Sequence, residues 1–165
     1  MYPIKLKIYG IRDFIPTELD LGNENEHVLI GGKNGSGKST LVYAASFALV
    51  SGRVSIDGLR SKLKKGDERW HAGVSMLFHN PPGPGKKDAP PYVQLSAEIR
   101  SRAGTSSHQV IYSLAGGESP DILVEKRKFQ GRQEAHDYYK RVFDIDTEGY
   151  FMFWYQGSIT DFANI

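Results

Sequence analysis

Residues 32–39 read Gly-Lys-Asn-Gly-Ser-Gly-Lys-Ser and fit the phosphate-binding loop pattern G-x-x-x-x-G-K-[ST]. An apolar stretch at 28–30 precedes this loop, and the sequence STLVYAASFALV at 39–50 follows it. Because the motif works only between a strand and a helix, we expect a buried strand at 28–30 that feeds the loop. The helix after the loop is apolar on nearly every side, so it should lie inside the fold. Gly52 is placed to end it.

The loop residues suit a nucleotide phosphate chain. Glycine lets the backbone approach a phosphate closely, and the backbone N–H groups at the start of the helix then face the anion. Lys38 would reach the β- and γ-phosphates, and the hydroxyl of Ser39 would hold Mg²⁺. An ordinary Gly/Ser-rich turn is the alternative, and it does not account for the apolar flanks on both sides. The residues predicted to contact the nucleotide are Gly32, Asn34, Gly35, Ser36, Gly37, Lys38, Ser39 and Thr40.

Composition bounds the class of protein. The 165 residues suit one domain, and 39% hydrophobic with 24% charged residues suits a packed core. The sequence has no cysteine, no apolar run long enough to span a membrane and no visible signal peptide, so we expect a cytoplasmic protein. The net charge of +2 is too small to argue nucleic-acid binding. The five histidines are scattered without the spacing of metal ligands.

Alternating apolar residues predict further strands, and Gly and Pro predict the breaks between them. The proline-rich segment 80–91, NPPGPGKKDAPP, is predicted to be a long mobile loop. A polar, basic segment at 53–70 should form a loop with a short helix. Two strands near the C-terminal end should be joined in a hairpin around Gly116-Gly117. The predicted elements are strands at 4–8, 17–21, 74–78, 93–99, 110–114, 122–129 and 150–155, and a helix at 132–142.

Taken in order, these motifs resemble one family. The order is an Ile-Arg-Asp-Phe turn after the first strand, the loop, a helix containing Phe-Ala-Leu, Gly-Leu-Arg at 58–60, Phe-His-Asn-Pro at 78–81, and Gln156-Gly157 after an apolar strand. It resembles the N-terminal ATPase lobe of SMC proteins and their relatives SbcC and RecN, and covers residues 1–165 as a single lobe. The resemblance implies an α/β fold: a P-loop ABC-type ATPase lobe with a mixed sheet and an antiparallel β-subdomain wrapped around the P-loop helix.

The resemblance also implies roles for individual residues. ATP and Mg²⁺ would be the cofactors, with Lys38 and Gln156 catalytic. Gln156 matches the Q-loop glutamine, which senses Mg²⁺ and the γ-phosphate, so Ser39 and Gln156 would serve the metal. Arg12 matches the arginine of the family's Phe-Arg-Ser turn near the nucleotide, although Asp13 stands where a small residue is usual. Arg60 resembles the arginine-loop residue that approaches the phosphates, with a solvated basic loop as the alternative.

Two motifs of a complete ABC-type site are missing from the sequence. No run of four apolar residues is followed by Asp-Glu, the Walker B pair that holds Mg²⁺ and activates water. Residues 114–118, Leu-Ala-Gly-Gly-Glu, look like the ABC signature but precede Gln156 and lead into a strand-like segment. We therefore expect half an active site, a fragment of a longer protein, and no ATP hydrolysis by this chain alone.

The resemblance further implies partners. These are the protein's own C-terminal head lobe beyond a coiled coil, a second head joined by ATP, and DNA, with no membrane. The basic clusters at 60–65, 86–87, 100–102 and 126–128 could contact DNA phosphates or form a solvated face. A transporter-type ABC ATPase and a nucleotide-gated, non-catalytic binding module stay open as alternatives. The pathway also stays open among chromosome organisation, DNA repair and defence against foreign DNA.

Overall fold

A computed structural model describes residues 1–12, 14–23, 28–50, 55–60, 69–81, 89–101 and 107–145. Its strands form one six-stranded sheet in the order β2-β1-β3-β4-β5-β6, and each neighbouring pair is antiparallel. The elements are β1 (Tyr2–Tyr9), β2 (Thr17–Asp20), α1 (Lys38–Ala48), α2 (Ile56–Leu59), β3 (His71–His79), β4 (Tyr92–Ser101), β5 (His108–Ser119), β6 (Ile122–Phe129) and α3 (Arg132–Phe143). The predicted α/β class, with an antiparallel subdomain packed on the P-loop helix, is confirmed, whereas the described strands form no parallel pair and so show no mixed sheet. The predicted strand at 150–155 and Gln156 lie outside the described residues.

The core lies between helix α1 and one face of the sheet. Ile8, Val74 and Ala97 stand opposite one another on β1, β3 and β4, and all three are buried. Helix α1 packs on β3 and β4 and buries Ala44 and Phe47 against them. The helix that follows the phosphate-binding loop is therefore fixed to the centre of the sheet, which holds its first turn in place.

Helix α1 ends earlier than the sequence predicts. It stops at Ala48, and the fully buried Val50 takes a left-handed conformation with φ of 69°. A β-branched residue rarely adopts this conformation, so neighbouring contacts must stabilise it. The amide of Val50 donates to the Phe47 carbonyl at 3.0 Å, and Arg132 Nε from α3 donates to the Val50 carbonyl at 3.2 Å. The prediction that the helix runs on to Gly52 is wrong because α3 stabilises an earlier end.

The predicted buried strand at 28–30 is also wrong. Val28, Leu29 and Ile30 form no strand, and these residues are 50%, 95% and 37% exposed. A strand needs a neighbour for its backbone N–H and C=O groups. None of the described strands pairs with this segment, so three apolar residues before the loop are left uncovered.

The Gly116-Gly117 pair lies inside β5 and not in a turn, so that prediction is wrong as well. The hairpin turns at residues 120–121 instead, and the register of β5 against β6 shifts between Gly116 and Ser119. A Cβ on Gly117 would collide with the carbonyl oxygen of Ile122, so glycine permits this close approach of two strands. The location within a strand confirms that residues 114–118 are not a signature motif at the start of a helix.

The segment predicted to be a mobile loop has well-packed ends. Asn80 is 2% exposed, and its amide donates to the carbonyl of Pro91 at 2.7 Å. Its side-chain Nδ2 also donates to the Pro90 carbonyl, at 3.4 Å. Residues 82–88 lie outside the described residues. Hydrogen bonds between Asn80 and residues 90–91 therefore hold the two ends of this segment together, where β3 ends and β4 begins.

The other expectations agree with the described residues. Helix α2 is the short helix predicted within 53–70, and α3 ends one residue beyond the predicted 132–142. Glu134 accepts from the amide of Gln130 at 2.7 Å, which supports the start of α3. Across the described ranges, no helix is long and apolar enough to cross a bilayer.

Candidate nucleotide-binding site

The loop backbone needs glycine at three places. Gly32, Gly35 and Gly37 have φ angles of 155°, 82° and 89°, which L-residues with a side chain rarely adopt. A Cβ on Gly32 would lie 2.7 Å from Ser36 Oγ, so the two limbs of the loop approach each other closely there. Ser36 N also donates to the Lys33 carbonyl at 3.2 Å and closes a turn. The loop is therefore preformed as a tight concave backbone.

The start of helix α1 is open to an anion. Gly37 is its N-cap residue, no side chain caps the helix, and its first turn carries no acidic residue. The first backbone N–H groups of a helix have no partner within the helix and carry the positive end of its dipole. Ser39 is exposed on this turn, whereas Thr40 is buried beneath it. This arrangement suits a phosphate group.

Lys38 is held by the loop itself. Its Nζ donates to the carbonyl oxygens of Gly32 at 2.7 Å and Lys33 at 2.8 Å. An ammonium group has three N–H donors. Among the described residues only these two carbonyl oxygens accept from Nζ, which leaves one N–H for a ligand and positions the charge of Lys38 at the mouth of the loop.

A cavity of about 240 Å³ adjoins the loop. Arg12 and Phe14 form one side of it, and Gly35, Ser36, Gly37 and Thr40 form the other. The Phe14 ring lies so close to Gly37 that a Cβ on this glycine would be 2.6 Å from it. Arg12 was predicted to lie near the nucleotide, whereas Phe14 was not. Its place two residues after Arg12, in the same turn, was the available signal.

The turn that carries Arg12 and Phe14 is anchored to the rest of the fold. Arg12 donates from its backbone amide to the Leu59 carbonyl and from Nε to the Gly58 carbonyl, both at 2.8 Å. Trp70 Nε1 donates to the Gly10 carbonyl at 2.7 Å, and Ile11 is fully buried. Arg12 itself has φ of 44°, a strained conformation that these contacts stabilise. The terminal guanidinium nitrogens of Arg12 make no hydrogen bond to any described residue.

Comparison with known proteins agrees with this geometry. The AAA domain family matches residues 5–150. The chain belongs to the AAA domain family. No curated protein matches the sequence. The solved structures that share the fold of this AAA domain include two whose alignments cover 100% of it.

The first of these structures concerns ATP-driven dimerization and DNA-stimulated activation of SMC ATPases. It aligns with a TM-score of 0.66, 21% identity and 92% of its own chain covered. The second is an Smc head bound to the C-winged helix domain of ScpA, with a TM-score of 0.69 and 22% identity. This AAA domain spans 47% of that second chain. Its fold is therefore that of an SMC-like ATPase head lobe.

Arg60 is not brought to the cavity of the AAA domain. It ends helix α2, half-buried, with its guanidinium 5.7 Å from the centre of the Trp70 ring. The described residues that line the cavity do not include it. Gln156 lies outside the described residues. The structure thus brings Arg12 to the loop and leaves the predicted roles of Arg60 and Gln156 as hypotheses.

The donor groups of this AAA domain fit a triphosphate better than a bare metal ion. The loop offers backbone N–H groups and one ammonium, which are donors for anionic oxygens. Among the residues that the structure describes, no group of three or more His, Cys, Asp or Glu could hold a metal. Mg²⁺ binds through few protein ligands together with phosphates and water. The exposed Ser39 hydroxyl is compatible with that use.

Proposed function

We propose that residues 1–165 form the ATP-binding N-terminal half of an SMC-like ATPase head. The observation that supports this most strongly is the shape of the loop at 32–40. Its glycines hold left-handed conformations, the start of α1 has no side-chain cap, and Lys38 is fixed at its mouth. Every one of these features favours a bound polyphosphate over a free loop.

In this proposal different loop residues contact different parts of Mg-ATP. The backbone at Asn34, Gly35, Ser36 and Gly37 receives the phosphates, with Thr40 at the start of the helix. Lys38 neutralises charge at the β- and γ-phosphates, and Ser39 contributes its hydroxyl to Mg²⁺. When bound, Mg²⁺ would offset phosphate charge and orient the γ-phosphate for transfer. Arg12 reaches the phosphates through its terminal nitrogens. Gln156 and Arg60 keep the roles that the resemblance implies.

A second lobe is needed to complete this site. The sequence contains no apolar run followed by Asp-Glu, so the carboxylates that position Mg²⁺ and water come from elsewhere. Val28, Leu29 and Ile30 lie directly before the loop with exposed apolar side chains. We propose that the protein's own C-terminal head lobe covers this segment and pairs with it as a strand.

The proposed wider function is based on the family resemblance and on the activities named for the two similar structures. A parent protein would use ATP to engage two heads and would act on DNA in chromosome organisation, repair or defence. It would act in the cytoplasm, associated with the nucleoid in a bacterium. DNA would meet basic side chains such as Arg100, Lys126 and Lys128, through phosphate contacts without sequence preference.

Two measurements separate this proposal from its alternatives. Calorimetric titration with Mg-ATP tests binding, and phosphate release measured with and without the C-terminal lobe tests turnover. Binding together with lobe-dependent turnover supports an ATPase head. Binding without turnover, even with both lobes, points to a nucleotide-gated binding module. Absence of Mg-ATP binding at millimolar concentration overturns the proposal.

A further inference from the structure

We propose that His71 is a positioning residue for Arg12, and that protonation of His71 raises the affinity of this chain for Mg-ATP. This inference rests on the proposed function, because it needs the phosphates to lie beside Arg12. His71 begins β3, and the next residue, Ala72, is fully buried in the core. Because side chains alternate along a strand, that of His71 points to the outer face of the sheet, away from α1. It therefore acts on the site from outside, through the end of β1.

His71 belongs to a network of four side chains on this outer face, which we call the His71 network. Its Nε2 lies 2.5 Å from Glu98 Oε1 and 3.4 Å from the Tyr9 hydroxyl. Arg100 donates to both oxygens of the Glu98 carboxylate, from Nε at 3.0 Å and from Nη2 at 2.9 Å. The network thus joins the ends of β1, β3 and β4 through side chains, in addition to their backbone hydrogen bonds.

The Tyr9 ring reaches this network because glycine lies beneath it. Tyr9 stands opposite Gly73 in the register of β1 and β3, and Gly73 stands opposite Glu98 in that of β3 and β4. A Cβ on Gly73 would lie 2.4 Å from the Tyr9 ring. The ring therefore crosses β3 at the one place in this row without a side chain, and its position depends on the His71–Glu98 pair beside it.

The chain at His71 also holds the residue that follows Tyr9. Gly10 has φ of 67°, and a Cβ there would lie 2.3 Å from the His71 carbonyl oxygen. Trp70 Nε1 donates to the Gly10 carbonyl at 2.7 Å. Two residues further along, Arg12 lines the cavity beside the phosphate-binding loop. A change in how His71 holds Tyr9 therefore displaces the backbone from which Arg12 extends.

The charge of the His71 network depends on pH through its histidine, because histidine ordinarily changes charge between pH 5 and 8. Although partial burial opposes it, hydrogen bonds from His71 and Arg100 hold the pKa of the Glu98 carboxyl below its usual value, so Glu98 is ionised in this range. Burial raises the pKa of the Tyr9 phenol, and Glu98 raises it further, so Tyr9 stays neutral. Protonated His71 thus forms a charge-assisted bond to Glu98, which weakens as the proton is lost.

Two further groups that can carry charge lie near this end of the sheet. Lys7 follows Tyr9 by two positions back along the outer face of β1, and its Nζ pairs with Glu18 at 3.1 Å. His108 begins β5 and packs edge-on against the Trp70 ring, with ring centroids 5.3 Å apart. Lysine is charged throughout this pH range, whereas a second histidine is not. His108 therefore supplies the matched control.

Calorimetry at pH 6 and pH 8 measures the ratio of the two dissociation constants for Mg-ATP. The His71 and Glu98 side chains are 58% and 28% exposed, and ion pairs this exposed contribute modestly. We therefore expect the wild-type affinity to fall about two- to threefold more between these pH values than that of His71→Gln. Titration of the ligand is common to both proteins and cancels, and glutamine keeps a donor for Glu98 without titrating.

Three further variants make the test specific. Glu98→Gln removes the charge partner and should give the same reduced ratio as His71→Gln. His108→Gln should keep the wild-type ratio. In an Arg12→Ala background, His71→Gln should no longer change the ratio, because the residue that it positions is gone. Thermal melting at both pH values establishes that each variant is folded.

Equal ratios for wild type and His71→Gln overturn this inference and leave the proposed function standing. A His71-dependent ratio that persists in Arg12→Ala also overturns it, because the effect would then not pass through Arg12. So does a lowered melting temperature for His71→Gln with an unchanged ratio, since the role would then be structural alone. If the wild type binds no Mg-ATP at either pH, the proposed function fails and this inference fails with it.

Discussion

The Nζ of Lys38 lies 2.7 Å from the carbonyl oxygen of Gly32, across the mouth of the phosphate-binding loop. The two residues are six apart in sequence, and their hydrogen bond ties the first turn of α1 to the start of the loop. The side chain is therefore fixed before a phosphate arrives. Binding then costs little rearrangement of this charge.

Lys38→Ala should weaken Mg-ATP binding by an amount on the order of 1.5–3 kcal/mol, the usual contribution of a hydrogen bond to a charged group. The change removes the ammonium and its bonds to the loop carbonyls. Lys33→Ala is a matched control, since Lys33 is in the same loop and contributes its carbonyl to that contact. It should bind nearly as well as the wild type. Calorimetry checks both variants, and equal affinities for wild type and Lys38→Ala would contradict the assignment.

Gly37→Ala should abolish detectable nucleotide binding. The new Cβ would lie 2.6 Å from the Phe14 ring, and the backbone there has φ of 89°. Both effects displace the N-cap of α1 and its open N–H groups. Gly31→Ala is the control, because a Cβ there meets nothing within 4 Å. Titration of both variants with Mg-ATP decides the matter, and tight binding by Gly37→Ala would mean that the loop does not hold the phosphates in this conformation.

The chain alone should bind ATP weakly and should not turn it over. Without a Walker B Asp-Glu pair nothing positions the attacking water, and Mg²⁺ lacks part of its coordination. Phosphate release should appear on mixing with the parent's C-terminal lobe. It should be lost again with Gln156→Ala or Lys38→Ala.

Robust turnover by the isolated chain, lost on Lys38→Ala, would refute this half-site interpretation. A catalytic carboxylate would then already be present. Asp144 and Glu118 are the first described residues to replace by Asn and Gln, followed by Asp146. Asp144 ends α3 in a left-handed conformation, and Glu118 lies on β5.

Replacing residues 82–88 with a short Gly/Ser linker should leave the melting temperature nearly unchanged. Asn80→Ala should lower it, because Asn80 is buried and its side chain donates to the Pro90 carbonyl. Loss of a buried hydrogen-bonded side chain costs about 1–3 kcal/mol. Thermal melting of the two variants tests this. A large drop in melting temperature for the linker variant would show that 82–88 packs on the lobe. An unchanged melting temperature for Asn80→Ala would show that the Asn80 side chain contributes little to stability.

Stability should fall in alkaline solution because of Tyr112. Burial raises the pKa of this phenol from its usual value near 10 to about 12, although nearby Arg132 lowers it somewhat. Between those pH values the unfolded chain loses the proton and the folded chain keeps it. The free energy of unfolding therefore falls by about 1.4 kcal/mol per pH unit from this group.

Tyr112→Phe removes that dependence, so its stability should fall less steeply than that of the wild type above about pH 10. Urea unfolding at several pH values measures the two slopes. The difference between the proteins at pH 7–8 serves as the baseline. Equal slopes above pH 10 would show that Tyr112 ionises normally in the folded state.

The alternation of apolar residues was enough to predict most of the sheet. Ile8, Val74 and Ala97 lie on its inner face because strand side chains alternate between faces, which is a local property of the backbone. The glycines of the loop were predictable for a similar reason. Gly32 and Gly37 take φ angles that only glycine adopts without strain, and the phosphate-binding loop motif specifies glycine at both positions.

Other features depend on contacts between distant residues, so no local pattern contained them. Val28 to Ile30 have strand-like residues, but a strand forms only beside a neighbour, and the described residues provide none. Gly116 and Gly117 resemble a turn, yet they lie where strands approach too closely for a side chain. Helix α1 ends at Ala48, and the left-handed Val50 that follows is stabilised by Arg132 of α3, which donates to its carbonyl.

The sequence by itself determined the phosphate-binding loop, the α/β class and the absence of a Walker B pair from this chain, because each depends on residue type and local spacing. Only the tertiary structure decided which residues surround the loop. It brought Arg12 and Phe14 to Gly37 by anchoring their turn to α2 and Trp70, and it held Arg60 against Trp70 instead. The turn of Arg12 and Phe14 is held by hydrogen bonds between residues 46 and 60 positions apart, and local patterns do not encode such contacts.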